Sequence, residues 1–254
     1  MVLSRLLPSP KNRYNDSHMK SQYVLPITIV VAGVLVAGAV FLVGGGSTPA
    51  PGEGSSVTAR EFDPSVDYVL GNPDAPIKVV EYSDLECPFC KEFQATMHQV
   101  MEYYGQGGQV AWVFRHFPLA QLHSKAPQEA QAAECAGELG GNEAFWKYVD
   151  RIFEITPSSN GLDLAQLPIV AGEIGLDVQA FNQCLSSNKY AKKVSDSYAE
   201  AIGLGAQGTP FTLVMVGGEA VTLPGNQPYD SMRAAIDAIL VGLPAEGAAG
   251  TTTQ

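Results

Sequence analysis

The chain has 254 residues, enough for one medium domain with a real core plus appendages. Its formal net charge of −11 argues against nucleic acid as a partner, because phosphate binding needs a basic face. The charge is uneven: residues 1–43 carry Arg5, Lys11, Arg13 and Lys20 against Asp16, a balance of +3 that leaves −14 for the rest.

Residues 24–43 are 20 consecutive positions without a charged side chain. As a helix they would span about 30 Å, the depth of a bilayer core. Basic residues precede this run, and only Arg60 stands between it and Lys78. The positive-inside rule therefore predicts a single-pass signal-anchor in the cell membrane, with residues 1–23 as a cytoplasmic tail and the remainder extracytoplasmic. A cleaved signal peptide is the alternative, since Ala37-Gly-Ala39 offers small residues for cleavage. Either reading exports the rest of the chain. Residues 44–60, rich in Gly, Ser, Thr and Pro, are expected to be a flexible linker, and residues 244–254 a disordered tail.

The folded domain is expected over residues 61–243. Residues 61–75 hold Asp-Pro and Asn-Pro turn signals around Tyr68-Val-Leu70, consistent with a segment along the domain edge. Residues 77–82 read as a strand that leads into Cys87-Pro-Phe-Cys90. Behind the cysteines, Phe89, Phe93, Met97, Val100, Met101 and Tyr104 recur at helical spacing until Gly105, Gly107 and Gly108 end the helix. Residues 110–117 are aromatic and β-branched, a second strand stopped by Pro118. A strand, a helix and a strand in this order predict a parallel pair.

Residues 124–205 are helical in pattern: an alanine-rich segment over 125–139, then Phe145, Trp146, Val149, Ile152 and Phe153 at three- and four-residue spacing. Further helical segments fall near 163–174, 178–185 and 189–202. That is too much helix for a crossover and predicts an inserted subdomain. After Gly208-Thr-Pro210, residues 211–216 and 220–223 flank Gly217-Gly218 as a hairpin, and residues 229–240 form a last amphipathic helix.

Two cysteines three apart between a strand and the first turn of a helix read as a thiol redox pair. Unpaired N–H groups and the dipole at the helix start favour a thiolate, and Pro88 suits the first helical position because it needs no N–H there. Cys87, ahead of the helix, is the expected nucleophile with an exposed sulfur; Cys90, one turn in, is the expected resolving thiol. A structural disulfide or half a zinc site are the bland alternatives, but no second C-x-x-C and no spaced histidine pair supplies further ligands, so no metal is expected. Nor is any cofactor.

The residues Glu81-Tyr-Ser-Asp-Leu-Glu-Cys-Pro-Phe-Cys90, Phe114-Arg-His-Phe-Pro-Leu119, Ala133-Glu-Cys-Ala136 with Phe145-Trp146, and Gly208-Thr-Pro210 together resemble the DsbA family of extracytoplasmic thiol–disulfide oxidoreductases, especially its single-span members. The resemblance covers about residues 66–243. It implies an α/β thioredoxin-like fold with an inserted α-helical subdomain and an enzyme that forms disulfides in unfolded exported proteins. It also implies reoxidation by a membrane or extracytoplasmic redox partner. It places Thr209 and a cis Pro210 opposite the cysteines, and an acidic residue, Glu81, on the buried strand as a proton exchanger for Cys90. Phe89 departs from the strongest oxidants of the family, which carry His there. A phenyl ring neither donates to a thiolate nor carries charge, so a less oxidising couple is expected. A disulfide isomerase or reductase using the same site, and a non-catalytic thioredoxin-like binding module, stay open as alternatives.

Cys135 and Cys184 stand alone on separate helices. In an exported domain they are expected to form a structural disulfide, with two buried free thiols as the alternative. Asp84 and Glu86 lie next to the motif, and either could shape local charge; a negative field beside Cys87 would disfavour its thiolate. His116 and His123 read as turn or capping residues, with a place close to the site as the alternative, and Phe145, Trp146, Tyr148 and Phe153 as core rather than a binding stripe.

Overall fold

A computed structural model describes residues 59–223 and 225–243. The expected N-terminal tail (1–23), anchor (24–43) and C-terminal tail (244–254), and nearly all of the expected linker (44–60), lie outside those residues. No described helix is long and apolar enough to cross a membrane.

One sheet carries the fold: β1 (Tyr68–Gly71), β2 (Ile77–Ser83), β3 (Val110–His116), β4 (Phe211–Val216) and β5 (Glu219–Leu223), in the order β1-β3-β2-β4-β5. β2 and β3 run parallel, and every other pairing is antiparallel. The reason lies in the chain between them: α1 (Pro88–Val100) and one π-helical turn (Met101–Gly105) supply the crossover that a parallel pair requires. β2 and β3 are central strands buried on both faces, hence their near-continuous Val, Ile and aromatic content. Alternation still sorts their side chains. Ile77, Val79, Trp112 and Phe114 enter the larger core with α1 and the helical insert, whereas Val80, Tyr82 and Val113 enter a smaller core on the opposite face. Glu81 alternates with Val80 and Tyr82 and so shares the face of Val79.

The insert comprises α2 (Ala126–Ile155), α3 (Gln166–Glu173), α4 (Val178–Ser186) and α5 (Ala191–Gly203), followed by β4, β5 and a closing helix, α6 (Tyr229–Gly242). The two helical stretches expected before and after Gly140 form one α2, kinked where Gly141 takes φ +72°, a backbone state that glycine adopts without steric cost. The next residue, Asn142, then pairs with the backbone of β1: its side-chain oxygen accepts from Val69 N and its amide donates to Val69 O, both at 2.8 Å. A disulfide joins Cys135 of α2 to Cys184 of α4 across a sequence separation of 49. Closing a loop of that size is worth about 4 kcal/mol in the chain-entropy model. Phe145, Trp146, Tyr148 and Phe153 are core side chains.

On the smaller-core face a buried cation ties the N-terminal segment to the sheet. Arg115 of β3 donates to both carboxylate oxygens of Asp67 at 3.1 Å, to the Tyr82 hydroxyl at 2.9 Å and to Glu200 of α5 at 3.2 Å. Arg60 reaches the same Asp67. Against the cost of burial, these two guanidinium groups hold the Asp67 carboxyl below its ordinary range.

Candidate active site

β2 delivers the chain into a tight turn in which Cys87 N–H bonds Asp84 O, and Cys87 becomes the residue preceding α1 with extended φ/ψ. Pro88 occupies the first helical position. The two cysteines are free thiols and differ sharply in setting. Cys90 is wholly inaccessible, and its sulfur lies 3.4 Å from the Asp84 N–H. Burial pushes its thiol far up, and a charged Cys87 pushes it further.

Cys87 is held at about 6. The Cys90 S–H bond to its sulfur is the largest cause; burial opposes it, and Thr209 and the N–H groups of Cys90 and Phe89 add to the lowering. When protonated, the Cys87 thiol donates to the Thr209 carbonyl at 3.5 Å. The Thr209–Pro210 peptide bond is cis. Thus residues 122 positions apart face each other, the dithiol on one side and the Thr209–Pro210 loop on the other.

The expected exposure of Cys87 is corrected: the residue is only 5% exposed, because the Thr209 loop covers it from one side and the larger core from the other. The solvent-facing member of the motif is Phe89, at 57%. Nucleophilic character here comes from hydrogen bonds to sulfur rather than from open water.

Asp84 and Glu86, the acids nearest the motif, have a structural part beside any effect on local charge. Both carboxylates are buried and turned to structural work. Asp84 accepts from Glu86 N–H at 2.8 Å, Leu119 N–H at 2.7 Å and lies 2.9 Å from His123 Nδ1. Glu86 accepts from Gly161 and Leu162 N–H groups at 3.2 Å, while its carbonyl accepts from Ser159 N–H at 2.7 Å. The loop it holds contains Ser158, Ser159 and Asn160, three consecutive non-glycine residues with positive φ. His123 therefore braces the active-site turn, and His116 ends β3 and lies 3.3 Å from Glu134 on α2.

Glu81 is fully buried, and its Oε2 accepts from Trp112 Nε1–H at 3.0 Å. Burial lifts its carboxyl to about 7, against the opposing pull of Ser83, Trp112 and the charge of His98. It is near enough to both thiols to act on them electrostatically. Trp112 was not singled out from sequence. An indole at an inward-facing strand position next to a buried acid was the available signal, since its N–H needs an acceptor. No group of three or more His, Cys, Asp or Glu that could hold a metal occurs among the described residues.

A protein-family model described as Thioredoxin matches residues 64–238. Among solved structures, DsbA2 of Pseudomonas aeruginosa is similar at 27% identity and a TM-score of 0.57, covering 68% of this chain and 94% of that one. Alpha-DsbA1 of Wolbachia pipientis is similar at 26% identity and a TM-score of 0.61, covering 69% and 92%. A curated relative, a Na(+)/H(+) antiporter NhaA 1 of Mycolicibacterium gilvum, is 33% identical over 157 residues, which are 61% of this chain and 24% of the antiporter. The chain thus spans about a quarter of the length of the curated relatives it matches. The family match takes in more than half of the sequence, and both DsbA structures are covered almost end to end. The chain belongs to the thioredoxin family and, within it, to the thiol–disulfide oxidoreductases of DsbA type.

Proposed function

We propose that the chain forms disulfide bonds in exported proteins through the Cys87–Cys90 couple, from a domain tethered outside the cell membrane by residues 24–43. The observation that carries this reading is the asymmetry of the two thiols: Cys87 is stabilised as thiolate and Cys90 is not. A couple whose reduced form is stabilised in this way gives up its disulfide readily.

In the oxidised state a substrate thiolate attacks Cys87 Sγ. The new bond is substrate sulfur to Cys87 Sγ; the bond broken is Cys87 Sγ to Cys90 Sγ, and the Cys90 thiolate takes up a proton, with Glu81 as the donor. A second substrate thiolate then attacks the substrate sulfur of this mixed disulfide and releases Cys87 as thiolate. The substrate has lost two electrons and the dithiol has gained them. A redox partner at the membrane or outside it removes them in turn. The Thr209–Pro210 loop is the wall against which the incoming peptide is held.

Cys87 at about 6 lies between the nucleophiles of thioredoxin, at about 7, and DsbA, at about 3.5. The reduction potential measured against glutathione should accordingly fall between about −270 and about −120 mV. With it should go the capacity to oxidise a reduced, unfolded test protein. A potential at or below that of thioredoxin, with no oxidation of the test protein, would sink the oxidase reading in favour of a reductase. The exposed, uncharged Phe89 is the feature that favours this second reading.

For the tether, the full-length chain expressed in a bacterium should sediment with membranes, and its domain should be digested by protease added to spheroplasts. Recovery of the intact chain in the protease-protected soluble fraction would refute the anchor.

A further inference from the structure

The proposed acid–base partner of Cys90 is a carboxylate in a dry core, and among the described residues no lysine or arginine bonds to it. Glu81 Oε2 is occupied by Trp112 at 3.0 Å and Oε1 has no hydrogen-bond partner, so beside the neutral Ser83 hydroxyl and the indole no charged group among the described residues bonds to this carboxyl. A carboxylate in such a place needs a counter-charge, or burial keeps it protonated and useless as a base.

One group able to carry a positive charge sits against Trp112, bonded to a carboxylate of its own. The His98 ring of α1 packs edge-on against the indole, with centroids 5.4 Å apart and planes at 86°. Trp112 thus lies between Glu81 and His98, bonded to the first and in ring contact with the second. His98 Nε2 is 2.7 Å from Asp150 Oδ1 on α2, and Gln94, one turn earlier on α1, donates to the same oxygen at 2.6 Å. An acceptor-only carboxylate at that distance fixes a proton on Nε2. Asp150 is aimed by two side chains of one helix face, so the arrangement is built rather than incidental.

We propose that His98, held and kept protonated by Asp150, is the positive charge that poises Glu81 for proton exchange with Cys90. His98 is a positioning residue in this scheme: it acts through Glu81 and touches neither sulfur nor substrate. The inference rests on the reading of Glu81 as the proton donor to Cys90.

The other charged groups nearby are already engaged. On α2, Lys147 pairs with Glu143, and Arg151 pairs with Glu154 and Glu173. On α6, Arg233 and Asp237 face each other and the Tyr103–Tyr104 edge. Glu102, one turn beyond His98, lies on the exposed side. The partners left to His98 are therefore Asp150, whose charge raises its pKa, and Glu81, whose charge adds to that rise.

The test is the rate at which Cys90 resolves a mixed disulfide between Cys87 and glutathione, followed in single turnover from acid to alkaline pH on the full chain. The wild type should show a midpoint near 7, in line with Glu81. H98Q and D150N should each move that midpoint up by about half a unit or more, slowing resolution at neutral pH about two- to fivefold. H98K, which returns a positive charge, should restore it. His98 and Asp150 are half-exposed, so these variants retain the core. An infrared titration of the buried carboxyl in the oxidised protein gives the same shift independently of turnover. If E81Q leaves the profile unchanged, the Glu81 reading itself fails. If E81Q flattens the profile but H98Q leaves the midpoint in place, or H98K fails to restore a shifted one, the His98 inference alone is overturned.

Discussion

Replacing Cys90 by Ala should raise the Cys87 pKa from about 6 by about one to two units and cut catalytic turnover on the order of a thousandfold or more. Two separate losses are involved. The first is electrostatic: the Cys90 S–H is the strongest donor to the Cys87 sulfur, and a hydrogen bond to a charged group is worth about 1.5–3 kcal/mol. The second is chemical: without a resolving sulfur, a mixed disulfide at Cys87 has no intramolecular way out. Cys90→Ser separates them. Its hydroxyl can still donate to the thiolate, so the Cys87 pKa should stay closer to the wild-type value while turnover is lost just as fully. Ultraviolet absorbance of the thiolate across pH measures the first effect, and covalent capture of a substrate thiol measures the second. Equal Cys87 titrations in the wild type and Cys90→Ala would remove the hydrogen bond from the account of nucleophilicity.

The route from sequence to this site was direct where the physics is local. The parallel pairing of β2 and β3 follows from a strand, a helix and a strand in a row, and the position of Cys87 at the start of α1 follows from Pro88 and the apolar spacing behind it. The Gly208-Thr-Pro210 signal preceded a hairpin, as its spacing implied, and a disulfide joins Cys135 to Cys184.

What escaped the sequence is the set of partners that only the tertiary fold supplies. Cys87 reads as exposed because it stands ahead of the helix, yet part of its cover comes from Thr209, 122 residues later. The structural part of Asp84 and Glu86 was not legible, because their hydrogen-bond donors, Leu119, Gly161 and Leu162, belong to loops with no motif of their own. Arg115 sits in a strand that otherwise reads as purely apolar; only the fold brings Asp67, Tyr82 and Glu200 around it. The kink at Gly141 likewise turned two expected helices into one bent element, since a glycine pair can either end a helix or bend it.

Folding stability should fall as pH rises from about 4.5 toward about 9, and Glu129→Gln should abolish much of that slope. Glu129 of α2 is wholly buried, and neither of its carboxyl oxygens meets a donor. Burial first, and the neighbouring Glu86 carboxylate second, push it up to about 9. An acceptor-only Glu86 can bond Glu129 only through a proton that Glu129 carries. The folded protein therefore keeps that proton at neutral pH, while in the unfolded chain an ordinary carboxyl has released it. Because the native state binds more protons across this window, each unit of rising pH costs up to about 1.4 kcal/mol. At pH 7 the penalty reaches about 3 kcal/mol relative to acid, where both states are protonated and the term vanishes. A glutamine can donate to Glu86 at every pH, so the variant should match the wild type near pH 4.5 and exceed it increasingly above. Denaturant unfolding of both proteins, with Cys87 and Cys90 held oxidised, measures the difference; curves that stay parallel from acid to alkaline pH would refute it. The consequence reaches the site itself. Glu86 immediately precedes Cys87 and holds the loop of Ser158, Ser159 and Asn160. The protonation state of Glu129 is thus coupled to the carboxylate beside the nucleophile.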